Sequence, residues 1–249
     1  MPKKVLILGG TAQANELAAL AHERLAGRAE VVLSLAGVAA PRRSHPCIVR
    51  KGGFGGIDGL ADYLKAEGVT LVVDATHPFA EQMSNHAYCA CLEAGTSRLA
   101  LVRPPWHPEP GDRWVEVESF ARAAEVLPRF ARRVLLTTGR RDLGAFAGLP
   151  GIFFAVRLLE APAEALPLDA YRIVVGAPPH SVEDERRLMR DLRIDTLITK
   201  QSGGEEGRAK LVAAREERVK VVLIARPYPE PGPQVATVAE AMAWVEAQL

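Results

Sequence analysis

The sequence predicts an α/β protein of two halves of the same general plan, each a mainly parallel sheet with helices on both faces, whose strand ends can face one another across a cleft. Three observations support this prediction: continuously apolar runs that alternate with helical patterns, a glycine turn after the first run, and a weak repeat of the first half in the second. Continuous apolarity is typical of strands that helices cover on both faces.

The predicted strands are short runs rich in aliphatic and β-branched residues, at 5–8, 31–35, 71–73, 99–102, 134–136, 173–175, 197–199 and 221–224. Helical patterns lie between them, with apolar faces made by Leu17, Leu20, Ala21 and Leu25 and by Phe120, Ala123, Ala124 and Leu127. Capping signals at Ser181 and Thr237 begin two further helices, the last with Val238, Ala241, Met242 and Val245 on one face.

A proline-rich stretch at 103–111 cannot form a helix or a central strand, and we interpret it as the crossing between two domains. The sequences on either side of this stretch are weakly similar to each other: residues 5–10 resemble 134–139, and residues 70–74 resemble 196–200. The predicted domains are therefore 1–103 and 104–249.

Composition narrows the class of protein. The chain has 249 residues, 48% of them hydrophobic and 24% charged, with a net charge of +1, so neither a nucleic acid nor a membrane is expected as a partner. Met1 to Lys4 lead directly into a strand rather than a signal sequence, which predicts a cytoplasmic protein.

The cysteines Cys47, Cys89 and Cys91 match no common zinc or redox spacing, so we expect buried thiols and no metal.

The opening turn favours a bound dinucleotide. A strand breaks at Gly9-Gly10-Thr11 and becomes a helix, whose free amides and dipole suit a phosphate; Ala14 takes the third glycine's place. The second strand ends at Ser34 rather than at an acidic residue, with Gly37, Arg42 and Arg43 following, which favours a 2′-phosphate and hence NADP. Alternatively, the glycines only allow tight packing between strand and helix, and the arginines are solvated surface residues without a ligand.

Two further loops of the first half are candidates. The cluster Gly52-Gly53-Phe54-Gly55-Gly56 allows a flat ligand to approach the backbone closely, or it is a flexible turn. Asp74-Ala75-Thr76-His77 follows a strand, where Asp74 and Thr76 can cap the next helix. His77 is either a proton donor or hydrogen-bonding partner of a ligand, or a residue that holds the loop together.

Two loops of the second half combine hydroxyls, glycines and cations at strand ends, which suits carboxylates or phosphates. The candidates there are Thr138, Arg140, Arg141, Lys200, Ser202, Gly203 and Lys210. The sequence lacks Tyr-x-x-x-Lys, Gly-x-Ser-x-Gly, a Walker lysine motif and His-Glu-x-x-His, which disfavours short-chain dehydrogenases, hydrolases, nucleotidases and metallopeptidases.

These blocks together, with Arg103-Pro104-Pro105-Trp106 and Thr199-Lys200-Gln201-Ser202-Gly203-Gly204, resemble the precorrin-6A reductase family and its cobalt-precorrin-6A counterpart over nearly the whole chain. The resemblance implies two Rossmann-like halves with an active-site cleft between them, of which 1–103 binds the cofactor and 104–249 contributes to the substrate cleft. It also implies NADPH as hydride donor and reduction of a carbon–carbon double bond in a corrin precursor of cobalamin. The family often has arginine after Ser-Leu-Ala-Gly, where this chain has Val38.

The resemblance also implies roles for residues. NADPH would be held by Gly9, Gly10, Thr11, Ser34, Gly37, Arg42, Arg43, Gly53, Phe54, Gly55, Gly56 and Thr76. The carboxylate-rich tetrapyrrole would be held by Arg103, Thr138, Arg140, Arg141, Lys200, Ser202, Gly203 and Lys210, with its macrocycle against Phe54, Phe79 or Trp106. His77 and Lys200 are the candidates for delivering the proton or polarising the ring system, and a bound water would serve equally well.

Two other functions remain open at this point. A non-catalytic NADP-sensing module would bind the cofactor without hydride transfer, and the second half's cations would then be superfluous. A dehydrogenase of a small acid would need a compact site with a single arginine.

Overall fold

The computed structural model describes residues 3–35 and 45–249, which form two compact units. The first unit combines Met1–Pro104 with Pro227–Leu249, and the second is Pro105–Arg226. The crossing thus falls at 104/105, inside the proline-rich stretch and one residue from the predicted boundary. The prediction that 104–249 form one domain needs correction at its end, because residues 227–249 return to the first unit.

The elements up to residue 104 are β1 (Lys3–Leu8), α1 (Ala12–Arg24), β2 (Ala29–Leu35), β3 (Ile48–Lys51), α2 (Ile57–Ala66), β4 (Val69–Asp74), α3 (Glu81–Ala94) and β5 (Ser97–Leu101). The second unit contains β6 (Trp114–Val117), α4 (Phe120–Val126), β7 (Arg133–Leu136), β8 (Phe153–Leu158), β9 (Tyr171–Val175), α5 (Val182–Asp191), β10 (Thr196–Lys200), α6 (Arg208–Glu216) and β11 (Lys220–Ile224), with 3-10 turns at Leu127–Arg129 and Leu143–Phe146. The chain closes with β12 (Gln234–Val235) and α7 (Val238–Gln248).

The sheet of the first unit runs β3-β2-β1-β4-β5-β12, and all its pairs are parallel. This is the order of the dinucleotide-binding fold. Alternate residues of β1 face opposite layers: Val5 and Ile7 pack with α1 and α7, whereas Leu6 and Leu8 pack with α2 and α3. Helices therefore cover both faces, as predicted.

The returning segment completes this sheet. Gln234 and Val235 pair with Ala100 and Leu101 of β5, and the predicted face of α7, with Met242 fully buried, packs in the same core as α1. Thr237 and Glu240 form the capping box that the sequence indicates. Strand β12 has only two residues and follows a proline-rich segment, so it contains no apolar run from which the sequence could predict it.

The second unit repeats the plan in the order β9-β8-β7-β10-β11-β6, again with every pair parallel. Strands β7 and β10 take the places of β1 and β4, which are the pairs that the sequence repeat aligns. Helices α5 and α6 cover one face; on the other, Phe146 of a 3-10 turn packs between Phe120 of α4 and Phe154 of β8. Two Rossmann-like halves are thus confirmed.

In residues 3–35 and 45–249, no helix has the length and apolar composition that crossing a bilayer requires.

Candidate functional site

The turn after β1 gives its two glycines different tasks. The Gly9 N–H donates to the Ser34 carbonyl at 2.9 Å, and a Cβ on Gly9 would lie 2.8 Å from Leu33 Cδ1, so a side chain there would displace the leucines of β2. Gly10 has φ +115°, and a Cβ there would meet no atom of the described residues within 4 Å. Gly9 therefore serves packing against β2, whereas Gly10 turns the chain beside open space.

Thr11 joins this turn to the loop after β4. Its buried hydroxyl accepts from the Ala14 N–H at 3.1 Å and donates to the Ala75 carbonyl at 2.8 Å. The first main-chain hydrogen bond of α1 is donated by the Asn15 N–H to the Thr11 carbonyl. The amides of Ala12 and Gln13 therefore lie before the first hydrogen bond of the helix and have no acceptor within it. Those amides at the positive end of the helix dipole can receive an anion.

The loop after β4 is organised by Asp74, which is 4% exposed. Its Oδ1 accepts from the N–H and the hydroxyl of Thr76, at 3.2 and 2.7 Å, and its Oδ2 lies 3.3 Å from Arg98 Nη1. Helix α3 begins later, with Ala80 as its N-cap and no side-chain cap, so neither Asp74 nor Thr76 caps it as expected. Asp74 instead shapes the loop that carries His77.

The ring of His77 is held by its own loop. The Phe79 N–H donates to His77 Nδ1 at 3.2 Å, which assigns the ring proton to Nε2. His77 therefore presents an N–H donor rather than an acceptor at Nε2. The two rings lie 5.9 Å apart.

The glycine cluster is organised by Arg50, a residue that the sequence interpretation missed. Arg50 Nη1 donates to the Gly52 carbonyl at 2.6 Å and Nη2 to the Gly53 carbonyl at 2.8 Å. Its guanidinium lies 3.7 Å from the centre of the Phe54 ring, so one face of that ring is covered. Gly52, Gly55 and Gly56 all have φ near +100° or somewhat below, which other residues rarely adopt.

Gly37, Arg42 and Arg43 lie outside the described residues. The other predicted cofactor residues of the first unit gather at the carboxyl edge of its sheet, where bonds join Gly9 to Ser34, Thr11 to Ala75 and Arg50 to Gly52. Arg103 follows β5 and is half-buried.

In the second unit, two of the predicted cations, Lys200 and Arg140, have acidic partners. Lys200 Nζ lies 2.8 Å from Asp142 Oδ2 and 5.2 Å from the centre of the Phe120 ring. Arg140 pairs with Glu164 at 3.2 Å on the surface, and Arg141 is exposed. Thr138 is buried, and its hydroxyl has no hydrogen-bond partner within the described part of the chain.

The loop after β10 is held by Arg226, another residue that sequence interpretation missed. Arg226 donates from Nε to the Gln201 carbonyl at 2.6 Å and from Nη2 to the Ser202 carbonyl at 3.0 Å. Gly203, with φ +66°, is buried in the same loop.

Trp106 does not offer a surface to a macrocycle, contrary to expectation. It is 9% exposed, its indole N–H donates to the Gly204 carbonyl at 2.7 Å, and Gly207 packs so closely that a Cβ there would lie 2.8 Å from the ring. Lys210 Nζ lies 5.6 Å from the ring centre. The indole therefore anchors the loop after β10.

A cavity of about 580 Å³ opens at the carboxyl ends of β7, β8 and β9. Its lining residues are Thr137, Gly139, Arg140, Arg157, Leu158, Leu159, Glu160, Ala161, Pro162, Ala163 and Gly176. Arg157 is neutralised by a bidentate pair with buried Glu185, at 2.5 and 2.7 Å. The cavity thus offers mainly aliphatic walls, in the size range of small-molecule sites.

The fold and the strand-end loops define a protein of two Rossmann-type units whose first unit has the turn of a dinucleotide site. The chain belongs to a family of reductases: residues 4–246 match the family model described as "Precorrin-6x reductase CbiJ/CobK". It is thus a member of an oxidoreductase family, as the resemblance implied.

Named relatives match along nearly their whole length. The chain is 43% identical to the precorrin-6A reductase of Rhodococcus erythropolis, covering 97% of each chain, and 40% identical to that of Rhodobacter capsulatus, covering 97% and 95%. The cobalt-precorrin-6A reductase of Priestia megaterium is 28% identical over 95% of each chain. A solved structure titled "CobK precorrin-6A reductase" superposes with a TM-score of 0.90 at 38% identity, covering 99% of this chain and 97% of the other.

Proposed function

We propose that this protein is an NADPH-dependent reductase that reduces a carbon–carbon double bond of precorrin-6A to give the 6B form in cobalamin biosynthesis. The observation that carries the proposal is full-length membership in the reductase family, together with relatives named precorrin-6A reductase at 40–43% identity. The fold alone would not distinguish this activity from others.

The residues of the first unit fit a nicotinamide dinucleotide. Gly10 leaves room beside the turn, and the amides of Ala12 and Gln13 can receive the pyrophosphate. Ser34 stands where proteins that bind NAD place an acidic residue, so the side chain at this position carries no negative charge that would repel a 2′-phosphate. Thr11 and Thr76 hold the loops in place through bonds within the protein.

The bound NADPH would supply a hydride to one carbon of the double bond, and one proton must reach the other carbon. His77, with its Nε2–H fixed by the Phe79 amide, is suited to donate a hydrogen bond to the substrate. Lys200, oriented by Asp142, carries an exchangeable proton and a positive charge. We propose that Lys200 or a bound water delivers the proton, and that His77 polarises the ring system of the substrate through its Nε2–H.

The substrate's carboxylates account for the cations of the second unit. The proposed contacts in that unit are made by Arg140, Arg141, Lys200 and Lys210, together with Thr138, Ser202 and Gly203, and Arg103 of the first unit is proposed to contribute as well. Arg140 is 54% exposed and its partner Glu164 is 83% exposed, so their pair is worth little and a substrate carboxylate can replace Glu164. The aliphatic cavity beside Arg140 is suited to an apolar part of the macrocycle.

The comparisons favour the metal-free substrate over its cobalt form. Identity to the relatives named precorrin-6A reductase is 38–43%, whereas it is 28% to the cobalt-precorrin-6A reductase with comparable coverage. We therefore propose a higher kcat/KM for metal-free precorrin-6A.

The test is anaerobic turnover of purified protein with each form of precorrin-6A, followed by the loss of NADPH absorbance. We expect turnover with both or with the metal-free form alone, and the higher kcat/KM for the metal-free form. The variants Lys200→Ala and Arg140→Ala should raise the substrate KM and leave the KM for NADPH nearly unchanged. Binding of NADPH without turnover of either form would favour the sensing module instead.

A further inference from the structure

Arg50 lies where the sheet would present the ribose of a bound dinucleotide. In the register of the first sheet, Leu8 of β1 pairs with Ser34 of β2, and Ser34 pairs with Arg50 of β3. In sheets of this order the adenosine ribose lies beyond the end of the second strand. Arg50 Nη1 is 3.5 Å from Ser34 Oγ, so the guanidinium stands beside that position.

The guanidinium keeps one edge available for a ligand. Nη1 faces the Gly52 carbonyl and Ser34 Oγ, and one N–H of Nη2 donates to the Gly53 carbonyl. Among residues 3–35 and 45–249, the Nε–H and the other Nη2–H have no acceptor within hydrogen-bonding distance. Nε and Nη2 share one edge of the planar group, the edge that binds two oxygens of a phosphate at once.

The positive charge of Arg50 is also not cancelled. No carboxylate of the described residues lies within 4.0 Å of it. By contrast, the buried Arg98 pairs with Asp74, and Arg157 pairs with Glu185. Arg50 is held instead by neutral carbonyls and by the face of Phe54, 3.7 Å away, so its charge is fixed in place and remains for an anion.

We propose that Arg50 binds the 2′-phosphate of the cofactor and thereby determines the preference for NADPH over NADH. The proposal rests on the proposed function, because it takes the first unit to be the nucleotide-binding unit. It identifies a specificity-determining residue that contacts the cofactor at a distance from the nicotinamide.

The test compares two probes that differ only in the 2′-phosphate, adenosine 2′,5′-bisphosphate and adenosine 5′-monophosphate, by calorimetric titration of the whole protein. Arg50→Ala should weaken binding of the bisphosphate by roughly 10- to 100-fold and of the monophosphate by less than about 3-fold, since a charged bidentate contact is lost. Arg50→Lys keeps the positive charge but not the two parallel N–H donors. Its affinity for the bisphosphate should therefore lie between that of the wild type and that of Arg50→Ala.

Arg28→Ala is the matched control, because it removes the same charge from an exposed turn at the opposite, amino-terminal edge of the same sheet. Its affinities should equal those of the wild type. Equal weakening of both probes by Arg50→Ala would overturn the proposal and leave Arg50 as a support of the glycine loop, and so would an unchanged bisphosphate affinity. A wild-type protein that binds neither probe would instead remove the proposed function itself.

Discussion

At the scale of single residues, the predicted cofactor ligands divide into those that hold the protein together and those that leave room. The hydroxyls of Thr11 and Thr76 both form hydrogen bonds within the first unit. Gly10 contributes space and an unusual backbone angle instead. Sequence patterns identify the loop but not this division, because the partner of each hydroxyl depends on loops distant in the chain.

Gly10→Ala tests the tasks assigned to the opening turn. A residue with a Cβ at φ +115° is strained by about 1–3 kcal/mol, and the added methyl group also occupies the space beside the turn. We expect lower stability in denaturant unfolding and weaker NADPH binding in titrations. The control Gly27→Ala places the same strain at an exposed turn with φ +75°, and it should lower stability without weakening NADPH binding. Equal NADPH affinity in both variants would contradict the assignment.

The cysteines provide a second test at this scale. Cys47 and Cys91 are buried as predicted, and burial raises the pKa of Cys91 to about 12 and also raises that of Cys47. Cys89 is only half-buried. A thiol reagent at pH 8 should therefore label Cys89 in the native protein and all three cysteines after denaturation. Rapid labelling of a native Cys89→Ser variant would contradict the burial of Cys47 or of Cys91, and mass spectrometry of the labelled peptide would identify which of the two reacts.

At the scale of elements, the sequence predicts the inner strands except β8, whereas of the four edge strands it predicts β9 and misses β3, β6 and β12. The runs at 5–8, 71–73 and 197–199 become β1, β4 and β10, which helices cover on both faces. Strand β3 reads Ile-Val-Arg-Lys, with none of its residues buried, and β6 contains Glu116, so neither has a continuous apolar run. The missed β3 matters most for the site, because it carries Arg50.

Met242→Ala tests the return of the last helix to the first unit. Met242 is fully buried among α1 and the first sheet, so its truncation leaves a cavity and should lower the free energy of unfolding by about 2–5 kcal/mol. Gln248→Ala, on the exposed side of the same helix, should change it by less than about 0.5 kcal/mol. Equilibrium unfolding in urea measures both. Equal stability of the two variants would contradict the packing of α7 in this core.

At the scale of the whole molecule, the repeat within the sequence predicts that two units share one strand order, and the sheets confirm it. The sequence does not indicate which segment forms the outermost strand of each sheet, next to β5 in the first unit and next to β11 in the second. The first unit takes β12 from the end of the chain, and the second takes β6 from the segment before its core strands. Such pairings join residues far apart in the chain, so no local pattern encodes them.

The central claim, that this protein transfers a hydride to a corrin precursor, is tested most directly by isotope transfer. Purified protein, precorrin-6A and NADPH deuterated at C4 are incubated without oxygen, and the macrocycle is examined by mass spectrometry. We predict a reduced macrocycle that has gained one deuterium from the cofactor and one hydrogen from the solvent. A macrocycle recovered without deuterium, from protein shown to bind both molecules, would contradict the assignment.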